Sequence, residues 1–242
     1  MNERVVAELA PTGVLRAGIN LSNFLLVTGR SADGEPEGVS PSLARAIADK
    51  LGVTVQYVTY PRPNELADAA DADEWDIGLI GAEPARAQKI AFSAAYSEIE
   101  STYLVPAGSP IRSIAEVDQP GVRIAVCAGS AYDLWLERHI EKAELVRSPT
   151  IQGSYDLFVG EKLDVLAGLR PRLVTDAETL AGARILDGRF SSVQQAVGTP
   201  KRNEAAAAFL RDFVEEAKRS GFIAGLIAKH GVEGRLSVAG AA

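Results

Sequence analysis

Residues 75–96 read WDIGLIGAEPARAQKIAFSAAY, and the order of residue types in this stretch constrains the fold more than any other segment. Residues 75–80 are an apolar run of strand length, broken only by Asp76. Gly81 and Pro84 punctuate the chain. Glu83 and Pro84 are placed to open a helix carrying Arg86, since a carboxylate is favourable near a helix N-terminus. Phe92-Ser93 follows, and residues 101–107 read as an extended segment leading outwards.

Working outward, the upstream chain has the same rhythm. Residues 14–21 (VLRAGINL) read as a strand entered from the turn Pro11-Thr12-Gly13. A helix follows, with Ser40 as N-cap and Pro41 at its first position. Its apolar face is Leu43, Ala44, Ile47, Ala48 and Leu51, and Gly52 ends it. Residues 53–59 (VTVQYVT) form a strand, and residues 64–70 a short helix. This is βαβ punctuation, which predicts a mainly parallel sheet with helices on its faces.

Downstream, the pattern begins again. Residues 121–126 (GVRIAV) echo residues 13–19 (GVLRAGI), and residues 164–168 (DVLAG) echo residues 76–81 (DIGLIG). Ser130, with Asp133 three residues on, resembles a capping box at the start of a helix. Residues 192–199 (SVQQAVGT) form a returning extended segment. Asn203 then caps a helix with Phe209, Leu210, Phe213, Val214 and Ala217 on one face, and residues 222–230 form another. The predicted fold is α/β with two lobes, residues 1–98 plus 196–242 and residues 99–195. Two hinge crossings join them, near residues 99–105 and 190–197.

Composition excludes several classes of function. The chain has 242 residues, 47% hydrophobic and 24% charged, the balance of a folded domain. A formal net charge of −7 opposes nucleic-acid binding, which depends on Lys and Arg at phosphates. The single cysteine, Cys127, allows no internal disulfide and reads as a small buried residue at a strand end. No run of about 18 apolar residues predicts a membrane span. Residues 1–8 lack the basic and apolar regions of a signal peptide, so a removed leader and a cytoplasmic protein are both open. His139 and His230 stand apart, with no metal-ligand spacing. There is no Gly-x-Ser-x-Gly elbow, P-loop or dinucleotide fingerprint, so neither cofactor nor metal is expected.

The order of landmarks resembles the amino-acid-binding class of bacterial extracellular solute-binding proteins, family 3, over residues 15–231. Asp76, Gly81, Arg86 and Phe92-Ser93 carry the resemblance, together with Gly38, Leu43, Ala44 and Leu51-Gly52 and the run VCAGS at residues 126–130. It implies a type II periplasmic binding protein fold, hinge closure on a small solute, and Arg86 as the clamp for a ligand carboxylate. It also implies a periplasmic monomer whose closed form is recognised by an ABC permease. This chain departs from the family in three places. The interval from Asp76 to Arg86 is about two residues short, Glu83 replaces a usual threonine, and a usually hydroxyl-rich loop reads Gly78, Leu79, Ile80, Gly81. Asn20 stands where binders of cationic amino acids carry an aspartate, which favours neutral or acidic ligands.

Ligands of open α/β sheets bind beyond the carboxyl ends of the strands, and that rule selects the candidates. Arg86 offers paired donors for a carboxylate, or pairs with Glu83 or Glu98 on the surface. Glu83 either touches ligand or favours the helix start. Asn20 either meets ligand or makes an Asx turn, with Asn23 and Phe24 next on the same loop. Gly129 and Ser130 either receive an anion or cap their helix, and Tyr132 faces the cleft if the helix phase allows. Arg170 holds a second carboxylate or pairs with Asp164 or Asp176. Gln195 lies on the return crossing, within reach of both lobes. The expected function is capture of a small carboxylate-bearing metabolite, without catalysis. The alternatives are a dehydratase of the cyclohexadienyl dehydratase type on the same fold, with Glu83 beside Arg86, and a cytoplasmic metabolite sensor.

Overall fold

The computed structural model describes residues 3–240; Met1, Asn2, Ala241 and Ala242 lie outside that description. Contacts divide the chain into two units, Met1–Glu98 with Gln194–Ala242, and Ile99–Val193. Each is an α/β layer structure with parallel strands at its centre.

The first unit contains α1 (Glu3–Leu9), β1 (Val14–Asn20), the small hairpin β2 (Gly29–Arg30) and β3 (Pro36–Glu37), α2 (Val39–Leu51), β4 (Thr54–Tyr60), α3 (Pro63–Asp68) and β5 (Ile77–Gly81). β1 pairs in parallel with β4 and β5. The long strand β6 (Ile90–Val105) starts in this unit and ends in the other. In the second unit, β7 (Arg123–Cys127), α4 (Ala131–His139), β8 (Glu144–Ser148), α5 (Ile151–Gly160), β9 (Val165–Leu169) and α6 (Arg170–Glu178) follow in order. There β7 pairs in parallel with β8 and β9, while residues 101–104 of β6 pair antiparallel with β9. After β10 (Arg184–Ile185), β11 (Ser191–Pro200) returns the chain and pairs antiparallel with β5. α7 (Glu204–Arg219), α8 (Phe222–Lys229) and β12 (Ser237–Val238) complete the first unit.

The sequence echo has a physical cause. Asp76 and Asp164 each immediately precede a central strand and clamp the arginine of the strand beside it. Asp76 Oδ2 accepts the Arg16 backbone N–H at 2.8 Å, and the Asp76 N–H donates back to the Arg16 carbonyl at 2.9 Å. Asp164 Oδ2 accepts from Arg123 N at 2.8 Å, and its own N–H returns to the Arg123 carbonyl at 3.1 Å. Each unit uses one carboxylate to register its first parallel strand pair at the amino end. That leaves the carboxyl end for other work.

Trp75 fixes the face of β1 and β5 beneath α3. Its ring is buried and Nε1 donates to the Leu66 carbonyl at 3.0 Å. Gly18 and Gly78 are register partners, and a Cβ at Gly78 would lie 2.8 Å from Leu66 Cδ2 and 3.3 Å from the indole. These two glycines make room for the largest side chain of the core. Tyr60, Leu66, Ile80 and Ile90 surround it. In the second unit Leu104, Ala125, Phe158, Leu163, Leu166 and Leu173 form the corresponding apolar layer.

Three helix starts differ from expectation. α2 begins at Val39 behind Gly38, so Ser40 lies inside the helix and is no cap. Its backbone N–H donates to Leu26 O at 3.1 Å, and its hydroxyl lies 3.2 Å from the buried Tyr96 hydroxyl. Asn203 sits at the N-cap of α7 but makes no capping bond; its Nδ2 donates to the Glu8 carbonyl and to Thr199 Oγ1. Glu8 of α1 replaces it by accepting the Ala206 N–H at 2.8 Å. The predicted helix from Glu83 is a three-residue 3-10 turn, Arg86–Gln88. The strand read over residues 75–80 is β5, Ile77–Gly81, so residues 78–81, the counterpart of the family's hydroxyl-rich loop, are buried strand.

His230, at the end of α8, lies with Nε2 2.9 Å from the Ser42 hydroxyl of α2. Burial lowers its pKa below the ordinary 6.5, Lys229 adds to this, and Glu37 opposes it. The folded protein therefore binds this proton less tightly than the unfolded chain. Stability is retained above the unfolded pKa and declines as pH falls through 6.5 towards the folded value. His230→Gln keeps a polar partner for Ser42 without the titration. It should flatten the decline of Tm measured between about pH 7.5 and 5, and an unchanged profile would assign that decline to other groups.

Candidate functional site

In the first unit, β1 and β5 end at the same edge. Ile19 is level with Leu79, Asn20 with Tyr60, and Gln195 of the antiparallel β11 with Gly81. Register alone thus brings Asn20, Gly81 and Gln195 to the carboxyl edge of the parallel strands, where ligands of such sheets bind. After Gly81 the Ala82 N–H bonds to Gln194 O at 2.7 Å, and the chain turns through residues 83–85.

Arg86 folds back over this turn. Its Nη1 donates to the Gly81 carbonyl at 2.9 Å, and the residue is only 6% exposed. Burial lowers its pKa to about 10, with Glu83 and Asp68 acting in the opposite direction. The guanidinium is therefore still charged at neutral pH, in a place that penalises charge. Such a group is suited to receive an anion, because an opposite charge recovers part of the lost solvation. Glu83 is buried beside it at 8% exposure, and its carbonyl accepts the Ala87 N–H at 2.9 Å.

The loop after β1 holds itself together with its own side chains. Asn20 Oδ1 accepts from the Ser22 N–H at 3.1 Å and the Ser22 hydroxyl at 2.7 Å, an Asx turn. Asn23 Oδ1 accepts from Leu25 N and Leu26 N. Phe24 is half-buried beneath the Arg235 guanidinium, 5.9 Å from its ring centroid, and is not a core residue. Gln195 is 4% exposed, yet its amide has no hydrogen-bond partner among the described protein groups. The amide atoms are not among the fully buried ones that lack a partner, so they keep contact with solvent and are open to a ligand.

The second unit's candidates are more committed to structure. Ser130 caps α4: its Oγ accepts the Asp133 N–H at 3.1 Å and donates to Cys127 O at 2.8 Å. The return bond of the box goes to Gly129, whose N–H donates to Asp133 Oδ2 at 2.9 Å. Those groups are spent on the cap. Tyr132 is buried, which raises its pKa, as does the adjacent Cys127. Arg170 pairs with neither Asp164 nor Asp176. Its Nε donates to Glu100 Oε2 at 2.7 Å and an Nη donates to the Gly188 carbonyl. Asp176 goes to Arg172, at 2.8 Å, and Asp164 binds Arg123. Arg189 reaches Glu100 at 3.4 Å from the other side, so one carboxylate is shared by two arginines. Sequence reading missed Glu100, because nothing local marks a glutamate in an extended run as an arginine's partner. It also missed Tyr60, level with Asn20, whose hydroxyl donates to Glu74 at 2.7 Å.

Comparison with known proteins fits this geometry. The sequence profile of bacterial extracellular solute-binding proteins, family 3, matches residues 19–233. The chain belongs to that family. A cyclohexadienyl dehydratase from Pseudomonas aeruginosa is 24% identical over 218 residues, covering 88% of this chain and 80% of that protein. Among solved structures, an arginine-binding protein mutant from T. maritima aligns with a TM-score of 0.75 at 20% identity, covering 95% of this chain and 100% of that one. An ancestral amino acid-binding protein described as a precursor of cyclohexadienyl dehydratase aligns with a TM-score of 0.73 at 21% identity, covering 93% and 98%. An amino acid ABC transporter substrate-binding protein from Streptococcus pneumoniae, bound to L-arginine, gives 0.73 at 18% identity, covering 97% and 99%. At these identities the likeness shows the fold, that of the periplasmic amino-acid-binding proteins. Among the described residues no helix is long and apolar enough to cross a membrane, and no cluster of His, Cys, Asp and Glu is arranged to hold a metal ion.

Proposed function

We propose that this family member captures a small carboxylate-bearing metabolite, an amino acid or organic acid, by closure of its two units about the crossings in β6 and β11. On this reading Arg86 clamps the carboxylate, while Asn20, Gln195 and the loop with Asn23 and Phe24 complete the first unit's contribution. On the same reading Arg170 and Tyr132, which follow the carboxyl ends of β9 and β7, contribute from the second unit, while Gly129 and Ser130 hold the start of α4 beside them. The observation that carries the proposal is the buried, charged Arg86 at the strand edge prescribed for ligands, in a chain of a solute-binding family. Family resemblance further supports a monomer acting in the periplasm that delivers its solute to an ABC permease.

A thermal-shift screen of amino acids and mono- and dicarboxylates tests this, with calorimetry on any hit. A ligand at a hundred times its Kd stabilises by about 2.7 kcal/mol, which raises Tm by roughly 5–10 °C in a protein of this size. Absence of a shift with every carboxylate would reject the reading. The dehydratase relative favours a second one, in which Glu83 acts as acid or base beside Arg86. Ultraviolet monitoring of prephenate and arogenate with the purified protein distinguishes the two.

A further inference from the structure

Resting on the carboxylate-binding reading, we propose that the first unit selects an organic acid carrying no amino group beside its carboxylate. The inference comes from which atoms at the strand edge are already used. Asn20 Oδ1 meets the Ser22 backbone N–H, and a backbone N–H can only donate, so that atom must be the oxygen. The amide is thereby fixed, and what remains is Nδ2, a donor with no partner among the described protein groups. Asn23 is fixed in the same way by Leu25 N and Leu26 N, leaving its nitrogen as the remaining group. Arg86 has donors only. Its neighbour Gly81 O already accepts from it.

The carboxylates of this part of the chain already have partners of their own, and the exposed Asp68 acts on the Arg86 charge together with Glu83. Glu65 takes Arg62, Glu74 takes the Tyr60 hydroxyl, and Glu83 faces the buried Arg86 charge. β5 ends in Leu79, Ile80 and Gly81, which bring no side-chain oxygen. Gln195 can turn its amide either way, but it supplies no charge to balance an ammonium. An anion therefore finds several fixed donors at this edge, whereas an α-ammonium is offered only the neutral Gln195 oxygen and a Glu83 charge already set against Arg86.

Matched pairs differing only in the α-amino group provide the test: glutarate and glutamate, succinate and aspartate, 4-methylpentanoate and leucine, 3-phenylpropanoate and phenylalanine. Calorimetry on the intact protein should show the unaminated member binding about tenfold or more tightly in every pair that binds, as expected when a charge is buried without a partner. Asn20→Asp supplies the second arm. Its carboxylate still accepts both Ser22 bonds, but it removes the outward donor and adds an acceptor, so the ratio should swing towards the amino acid by a similar factor. Equal or tighter binding of the amino acids to wild type, or a ratio unmoved in Asn20→Asp, would overturn the inference and leave carboxylate capture standing. Failure of all eight compounds to bind would overturn both.

Discussion

Arg86→Met is expected to lose ligand affinity without losing stability. Truncating one partner of a desolvated charge pair costs about 2–5 kcal/mol in binding, because the other charge is left buried. At about 1.4 kcal/mol per tenfold, affinity for the tightest carboxylate found should fall about 30-fold to several thousandfold. The unliganded protein should behave differently. A pKa lowered from 12.5 to about 10 means that burying this charge costs on the order of 3 kcal/mol at neutral pH. Methionine fills the same space and removes that cost, although the Gly81 carbonyl loses its 2.9 Å donor. The buried Glu83 also loses the positive charge beside it, which offsets that relief, so Tm without ligand should change little. Arg86→Lys should also bind weakly, since an ammonium keeps the charge but lacks the planar fork. Calorimetry with paired melting curves decides the matter. Wild-type affinity in a folded Arg86→Met protein would remove Arg86 from the site, and a large fall in Tm would make it a structural residue.

Gly38→Ala should have the largest effect on folding. Gly38 has φ 148° and ψ −172°, a region that only glycine occupies readily. A Cβ there would lie 2.2 Å from the Leu26 carbonyl oxygen and 2.8 Å from Val27 Cα, both backbone atoms that cannot swing aside. Backbone strain alone is worth about 1–3 kcal/mol. Moving the loop would also break the 3.1 Å bond from Ser40 N to Leu26 O that seats the start of α2. A total of at least about 3 kcal/mol corresponds to a fall in Tm of roughly 6–12 °C. Gly34→Ala is the control: it has φ 83°, but nothing lies within 4 Å of its Cβ. It should cost only about 1–2 kcal/mol. Equal losses from the two substitutions would show that the contact with Leu26 is unimportant. Because Asn23 and Phe24 share the displaced loop, ligand affinity should fall in Gly38→Ala as well.

The family and the alternation of strands and helices were legible from local signals, because the period of apolar residues and the punctuation by glycine and proline act over a few residues. The echo between residues 13–19 and 121–126 was legible as well, since each unit needs the same aspartate-to-backbone clamp at the start of its central strand. Arg86 could be singled out because strand, turn and arginine follow in sequence. What the arginine does could not, since its burial and its bond to Gly81 depend on how the turn closes over β5. The partner of Arg170 was equally hidden. Asp164 and Asp176 are near in sequence, but Glu100, 70 residues away, is the carboxylate that the antiparallel pairing of β6 with β9 brings alongside. Ser40 shows the same limit for a helix start: a good capping residue is overruled because Gly38 must pass the Leu26 carbonyl and Ser40 must reach Tyr96. The sequence determined which segments form strands and helices and which residue types stand at their ends. Tertiary structure alone decided which polar atoms are already satisfied, because hydrogen-bond partners are assigned by strand register and loop closure, and a residue's own neighbours in sequence carry no record of either.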